Sequence, residues 1–103
     1  GSSWESLVVE NIIANIGSDV ETFFYRTSRG EELDLILKKG SQTIAVECKA
    51  STTPGLTKQN IAAIETIKPA KTLIVAPIEE SFEIGEGVIA CSLADAIRQI
   101  RES

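Results

Sequence analysis

Apolar and polar residues alternate over Glu32–Lys38 and again over Gln42–Lys49, with Gly40-Ser41 between the two runs. A period of two is the mark of a half-buried strand, and a two-residue Gly-Ser connection suits a II′ hairpin. With the turn at Gly40-Ser41, Leu33 faces Cys48, Leu35 faces Val46 and Leu37 faces Ile44, which makes one side of the ribbon apolar. On the other side Ile36 faces Ala45, Asp34 faces Glu47 and Glu32 faces Lys49. Directly opposed residues hold their Cβ atoms roughly 4.5–5.5 Å apart, so two opposed carboxylates repel unless something positive lies between them.

The pattern elsewhere predicts three helices and further strands. Ser2 or Ser3 caps a helix running to about Ile16, Ser2 with Glu5 fitting a capping box, and Gly17 ends it. Trp4, Val8, Ile12 and Ile16 recur on one stripe, with Leu7, Val9 and Ile13 beside them. Phe23, Phe24 and Tyr25 favour a strand over Glu21–Arg26. Ser51–Gly55 reads as a loop. A second helix from Leu56 or Thr57 to Lys68 carries Ile61, Ala62, Ala63, Ile64 and Ile67, and Pro69 stops it. Lys71–Ala76 is a short apolar run suited to a buried strand. Pro77–Gly87, with Glu79, Glu80, Glu83 and Glu86, reads as a polar, acidic loop. Gly87–Cys91 is a short last strand. Ser92 caps a final helix over Leu93–Arg101, with Leu93, Ala96, Ile97 and Ile100 inward. The order α-β-β-β-α-β-(β)-α is that of an α/β domain with a mixed sheet. A strand–helix–strand step inside it implies a right-handed crossover and parallel pairing.

The chain's 103 residues bound it to one domain with a single core. Gly1, Ser2 and Ser3 read as an expression scar, leaving 4–103 as the domain, a piece cut from a longer protein. No window approaches the ~18 apolar residues of a membrane span, so no membrane partner is expected. Cys48 and Cys91 read as reduced core thiols of a cytoplasmic protein. With no histidine and no CxxC pair, a zinc site is excluded. The net charge of −5 argues against tight, non-specific binding to nucleic acid, which rests on neutralising phosphates. A local basic rim remains compatible with it.

Glu47 and Lys49 are two apart on one strand and share a face, about 7 Å along it, opposite Asp34. Two carboxylates with a lysine beside them suit a hard divalent cation such as Mg²⁺ or Mn²⁺, which takes oxygen ligands and keeps several waters. Without metal, each carboxylate raises the other's pKa. The bland reading is solvated charge on a hairpin face. Against it stand the directly opposed like charges, the apolar Ile36 and Ala45 on the same face, and Ser51, Thr52 and Thr53 close behind. Trp4 reads as core.

The Asp34 … Glu47-x-Lys49 pattern after a helix with an acidic residue resembles the PD-(D/E)XK nuclease superfamily. The stretches WESLVVENII, FYRTSRGEELDLIL and AVECKAS look closer still to the nuclease-like domain found C-terminal in prokaryotic AAA-type ATPases, itself largely uncharacterised. The similarity covers the chain from Trp4 to the final helix. It implies a restriction-endonuclease-like core, with the chain as a C-terminal fragment whose partners are an N-terminal ATPase domain and DNA. It implies Asp34 and Glu47 as metal ligands, joined by the backbone carbonyl of Cys48, with Lys49 in the catalytic-lysine place and Glu5 as the helix carboxylate. Glu10 competes for that last role: five positions on a helix is about 140° of net rotation, so the two should not both face one site. Arg26, Arg29, Ser51 and Lys58 become contacts for nucleic acid, with Arg26 and Arg29 equally readable as surface charges near the acidic Glu31 and Glu32. Leu33 stands where the superfamily name has proline. The implied activity is metal-dependent phosphodiester hydrolysis in DNA; the alternative is a catalytically silent docking or interaction module of the same fold. A homodimer is compatible with either.

Overall fold

The computed structural model describes residues 3–103. The expectations for Gly1 and Ser2, including the Ser2 cap, lie outside them. Ser3 is the N-cap of α1 (Trp4–Asn15), its side chain accepting from the Ser6 N–H. There follow β1 (Glu21–Arg26), β2 (Glu32–Lys39), β3 (Gln42–Cys48), α2 (Lys58–Ile67), β4 (Lys71–Val75), β5 (Phe82–Gly85), β6 (Val88–Cys91) and α3 (Leu93–Glu102). The six strands make one mixed sheet in the order β1-β2-β3-β4-β6-β5.

The hairpin turns where its sequence places it. Lys39 pairs with Gln42, Leu37 with Ile44 and Leu35 with Val46, leaving Gly40-Ser41 as the two-residue turn. Gly40 has φ +64°, whereas Ser41 is not among the positive-φ residues, the signature of a II′ turn. The crossover also follows expectation: β3 and β4 pair in parallel with α2 between them. β4 then pairs with β6 in parallel.

α1 and α3 cover one face of the sheet. Val8, Ile12 and Ile16 pack there with Leu35, Leu37, Ile44, Val46 and the Ala96 and Ile100 side chains of α3. Each fully buried aliphatic side chain in this layer contributes about 1.5–3 kcal/mol. Trp4 packs partly buried against the same cluster, but Leu7 and Ile13 point to solvent at 55% and 40% exposure, so the buried stripe of α1 is narrower than its apolar pattern. Lys39 ties the layer's far end, its ammonium donating to the carbonyls of Ile100 (3.2 Å) and Arg101 (2.8 Å) at the C-terminus of α3. A cation there complements the helix dipole.

α2 covers the other face, its Ala63 packed over Ile36 and Ala45 of the sheet, with Ile64 and Ile67 partly buried. Its buried polar residue is Asn60, 1% exposed. Thr57 caps α2 by accepting from the Asn60 N–H (3.1 Å), while Asn60 Oδ1 accepts from the Thr57 N–H (3.0 Å). Asn60 Nδ2 donates to the Glu32 carbonyl (2.9 Å). One side chain thus closes the capping box and fastens the helix start to the start of β2.

Two expectations fail. Pro77–Gly87 is not all loop: Phe82–Gly85 forms β5, antiparallel to β6, with Glu86-Gly87 as the turn between Gly85 and Val88. Every residue of β5 is exposed, so no burial pattern marks it, and its pairing comes from the backbone. The second failure concerns Leu33, expected beside Leu35 and Leu37. It packs on the opposite face, with Ile36 and Ala45 under α2. The cause is a bulge. Phe23 pairs with Ile36 and Tyr25 with Leu33, so two steps along β1 correspond to three along β2, and Asp34 and Leu35 together oppose Phe24. One extra residue reverses the facing of everything beyond it.

Asn60→Ala removes two side-chain hydrogen bonds at a buried position and is expected to cost about 1–3 kcal/mol. Urea denaturation measures it; a loss below about 0.5 kcal/mol would show that the Glu32 tether is dispensable.

Candidate functional site

The ladder between β2 and β3 stops at Leu35–Val46. In a two-residue hairpin the residues flanking the turn exchange both backbone bonds, as does every second pair beyond them. Leu33 and Cys48 would be such a pair, but the bulge removes Leu33 from the register. Two backbone N–H groups are left to find acceptors, and each takes the carboxylate of the other strand. Asp34 N–H donates to Glu47 Oε1 at 3.0 Å, and Cys48 N–H donates to Asp34 Oδ2 at 2.8 Å. The expected face-to-face opposition of Asp34 and Glu47 is therefore a crossed exchange, each carboxylate fixed by the neighbouring strand's amide.

Glu47 is buried, at 6% exposure. Burial first, and then the charge of Asp34, pushes its carboxyl above the ordinary range, while Lys49 and the Asp34 N–H pull the other way. Lys49 Nζ lies 3.1 Å from Glu47 Oε2. The Lys49 N–H donates to the Val75 carbonyl (2.9 Å), which extends the β3–β4 pairing and holds the lysine beside the gap. Cys48, between the two charged residues and last in β3, is buried and unbridged. Burial and the carboxylates of Asp34, Glu47 and Glu5 push its thiol well above the usual range. Cys91, also free, is pushed up to about 12 by burial. Both cysteines are thiols of the core, as their sequence contexts suggest.

Asp34 opens onto a groove of about 330 Å³ between α1 and β1, bordered by Glu5, Ser6, Val9, Glu10, Ile13 and Phe24. Glu5 and Glu10 thus border one groove, against the expectation that one would exclude the other. Their separation of about 140° holds, but Val9 and Ile13 fall at intermediate angles, and the groove is wide enough for its two edges to carry one glutamate each. Glu5 is half-buried and Glu10 exposed.

The remaining expected contacts have partners or positions of their own. Arg26 pairs with Glu32 and Arg29 with Glu31, each at 3.3 Å. Glu31 is further held by the Tyr25 hydroxyl at 2.9 Å. Ser51 Oγ accepts from the Thr53 N–H at 3.1 Å, a local turn after Lys49. Lys58 is exposed in the first turn of α2. Sequence reasoning missed Asn60, which sets the start of α2 against β2. Its signal was present in Thr57-x-x-Asn60, a capping box running into Ala63, Ile64 and Ile67 at helical spacing. Phe24 is the other omission, a ring 77% exposed beside Asp34.

Among the described residues no group of three or more His, Cys, Asp or Glu side chains converges as a metal cluster. The donor set is two carboxylates, each with one oxygen on an amide, and the second oxygen of Glu47 is engaged by Lys49. Hard cations that keep most of their water take one or two protein carboxylates, the number that stand together here. Among the described residues, no helix is long and apolar enough to cross a membrane.

A family model described as a domain of unknown function (DUF4143) matches residues 1–96. The uncharacterized protein Rv2008c of Mycobacterium tuberculosis is 29% identical over 90 residues, which are 87% of this chain and 20% of that protein. The uncharacterized protein Mb2031c of Mycobacterium bovis matches with the same identity and coverage. The chain therefore spans about a fifth of the length of these relatives. No solved structure matches it significantly.

The raised carboxyl of Glu47 has a measurable consequence. A group whose folded-state pKa lies above its unfolded value favours folding below the ordinary value, here 4.5. That contribution is lost as pH rises through the raised value. Glu47→Gln keeps an acceptor for the Asp34 N–H but cannot ionise. It is expected to be more stable than the parent at pH 7, with the gain shrinking to nothing near pH 4. Urea midpoints at both pH values check this, and a gain confined to acid pH would contradict it.

Proposed function

We propose that this chain, which belongs to the DUF4143 family, is a PD-(D/E)XK-like domain with a restriction-endonuclease-like core that hydrolyses phosphodiester bonds in DNA. It binds Mg²⁺ or Mn²⁺ at Asp34 and Glu47 and serves an ATPase region of a longer parent protein. The observation that carries this reading is the crossed exchange of Asp34 and Glu47 across a break in the ladder, with Lys49 3.1 Å from Glu47. A surface ornament does not place a carboxylate at 6% exposure, because desolvating a charge is costly unless a cation offsets it.

Asp34 and Glu47 would hold the cation, with the Cys48 carbonyl at the end of β3 as the third donor. The bound ion would supply Lewis-acid polarisation of the phosphoryl oxygen and a water of lowered pKa. The residues do the rest. Lys49 Nζ donates a hydrogen bond that orients the attacking water and balances charge on the phosphate. Glu5, across the groove, accepts a proton at its carboxylate. The backbone amides of Asp34 and Cys48 hold both ligands in one orientation, which spares the site the cost of ordering them on binding. The length of the mycobacterial relatives, about five times the matched region, leaves room for an ATPase region.

A silent docking module of the same fold is favoured by one observation. Among the described residues, every buried side-chain polar atom has a hydrogen-bond partner, so Lys49 already offsets Glu47 and the site is satisfied without a ligand. Two measurements separate the readings. Calorimetry with millimolar Mn²⁺ is expected to give heat with the parent and none with Asp34→Ala. Equal heats would sink the metal site. Nicking of supercoiled plasmid in Mg²⁺ or Mn²⁺ is expected from the parent and reduced about a hundredfold or more by Lys49→Ala. Metal binding without nicking would leave the silent module.

A further inference from the structure

The bulge that re-aims Asp34 has a second effect. Phe24 is the β1 residue opposite Asp34 and Leu35, and ring and carboxylate border the same groove. Phe24 is 77% exposed and adds little to the core. Its neighbour Phe23 differs, for the Lys38 ammonium sits over that ring, 5.7 Å from the centroid. The groove's walls are Val9 and Ile13, and its charged residues, Glu5, Glu10 and Asp34, are all acidic.

This combination selects its occupant. Duplex and single strand alike are bound through phosphates by lysine and arginine, and the groove lining offers neither, so the contact this groove offers a polynucleotide is to a base. Arg26 and Arg29, near the start of β2, are engaged by glutamates, and the chain carries −5 overall. A nucleobase is uncharged. Its face stacks on an aromatic ring whatever its sequence, and its exocyclic amino groups donate to carboxylates, as cytosine does to Glu or Asp. Bases inside a duplex are already stacked and must be extruded to offer a face.

We propose that Phe24 is a stacking platform for an unpaired nucleobase beside Asp34, so that the site takes single-stranded polynucleotide, or a frayed strand end, in preference to duplex. The inference rests on the nuclease-like reading of Asp34 and Glu47 and names its substrate class. The base lies on Phe24 between Val9 and Ile13, its amino edge toward Glu10. The adjoining phosphate is thereby carried to Asp34 and Glu47, where a cation replaces the missing basic rim.

The test is fluorescence anisotropy of a labelled 12-nucleotide single strand, as DNA and as RNA, and of the matching blunt DNA duplex. Ca²⁺ replaces Mg²⁺ so that binding is read without cleavage. The parent is expected to bind single strands about tenfold or more tightly than duplex. Phe24→Ala loses roughly five- to a hundredfold of single-strand affinity, Phe24→Trp retains it, and Phe24→Leu does not restore it. Circular dichroism and urea midpoints confirm that these exposed-site variants fold. Equal binding by parent and Phe24→Ala overturns the proposal, as does absence of single-strand binding. Full rescue by leucine also overturns it, since the ring is then only an apolar contact. A Phe24-dependent affinity for a Lys/Leu peptide in place of the oligonucleotide would make the groove a peptide site and likewise overturn it. Failure of the catalytic reading is separate. Phe24-dependent binding with no plasmid nicking keeps the platform and removes the enzyme, whereas Lys49-dependent nicking indifferent to Phe24 keeps the enzyme and removes the platform.

Discussion

The structure turns on two backbone amides at the open end of a hairpin. Asp34 N–H and Cys48 N–H lie beyond the last ladder pair, half inside the protein, where an unpaired amide costs about as much as a lost hydrogen bond. Each is satisfied by the other strand's carboxylate, at 3.0 and 2.8 Å. The arrangement is reciprocal. Removing either carboxylate orphans an amide and leaves its partner without the neighbour it was set against. Burial of Glu47 and, second to it, repulsion between the acids are the cost of this closure, and both appear in the raised proton affinity of Glu47. Lys49 offsets part of it at 3.1 Å. The strands are thus spliced by charged groups at the point where an ordinary hairpin would simply run on.

Everything that shapes the groove follows from the bulge that creates this splice. It places Leu33 under α2 beside Ile36 and Ala45, so the far face of the sheet gains an anchor next to the tether from Asn60 to Glu32. It also sets Asp34 on the groove bordered by α1, where Glu5 and Glu10 stand on the helix. Helix α1 in turn is held by Val8, Ile12 and Ile16 in the larger core layer, one stripe of aliphatic residues. The carboxylates on its groove-facing side are carried by that packing and contribute little to it.

Most of this architecture was legible in the chain, and each part that was not has its own physical cause. Strong alternation with a Gly-Ser turn places Leu35, Leu37, Ile44 and Val46 and their pairing, because a period-two burial pattern has a single satisfactory register. The parallel step from β3 to β4 follows from handedness alone. The bulge at Asp34-Leu35 was invisible, since Glu32, Leu33, Asp34 and Leu35 alternate without a break as written and only the partner strand ETFFYR, one residue short, reveals the mismatch. β5 was invisible for the complementary reason. Its four residues bury nothing, so periodicity has no signal to offer there. The conflict of Asp34 with Glu47 was legible as a conflict, and its resolution by backbone amides was not, because amide geometry beyond a ladder's end is not written in side-chain pattern. Asn60 was readable as a capping residue, but nothing in its spacing points to Glu32, twenty-eight positions away.

The two edges of the sheet are finished differently, and the difference bears on which one meets other molecules. At the β5 edge the strand is four residues long, carries Glu83 at its centre and shifts register between Glu83 and Gly85. Shortness, charge and irregularity are the usual means of discouraging another chain from pairing. The β1 edge is longer and uncharged along its middle. Its six residues keep Glu21 and Arg26 for the ends, and the extra residue of its register shift lies on the partner strand β2. Phe23 and Phe24 remain exposed there at 45% and 77%. An edge left long and aromatic invites association, so its tolerance in one place and suppression in the other calls for a local reason. Asp34 supplies one. The same two-against-one mismatch that re-aims this carboxylate holds Phe24 across from it, so the unprotected edge and the carboxylate gap are a single feature of the fold.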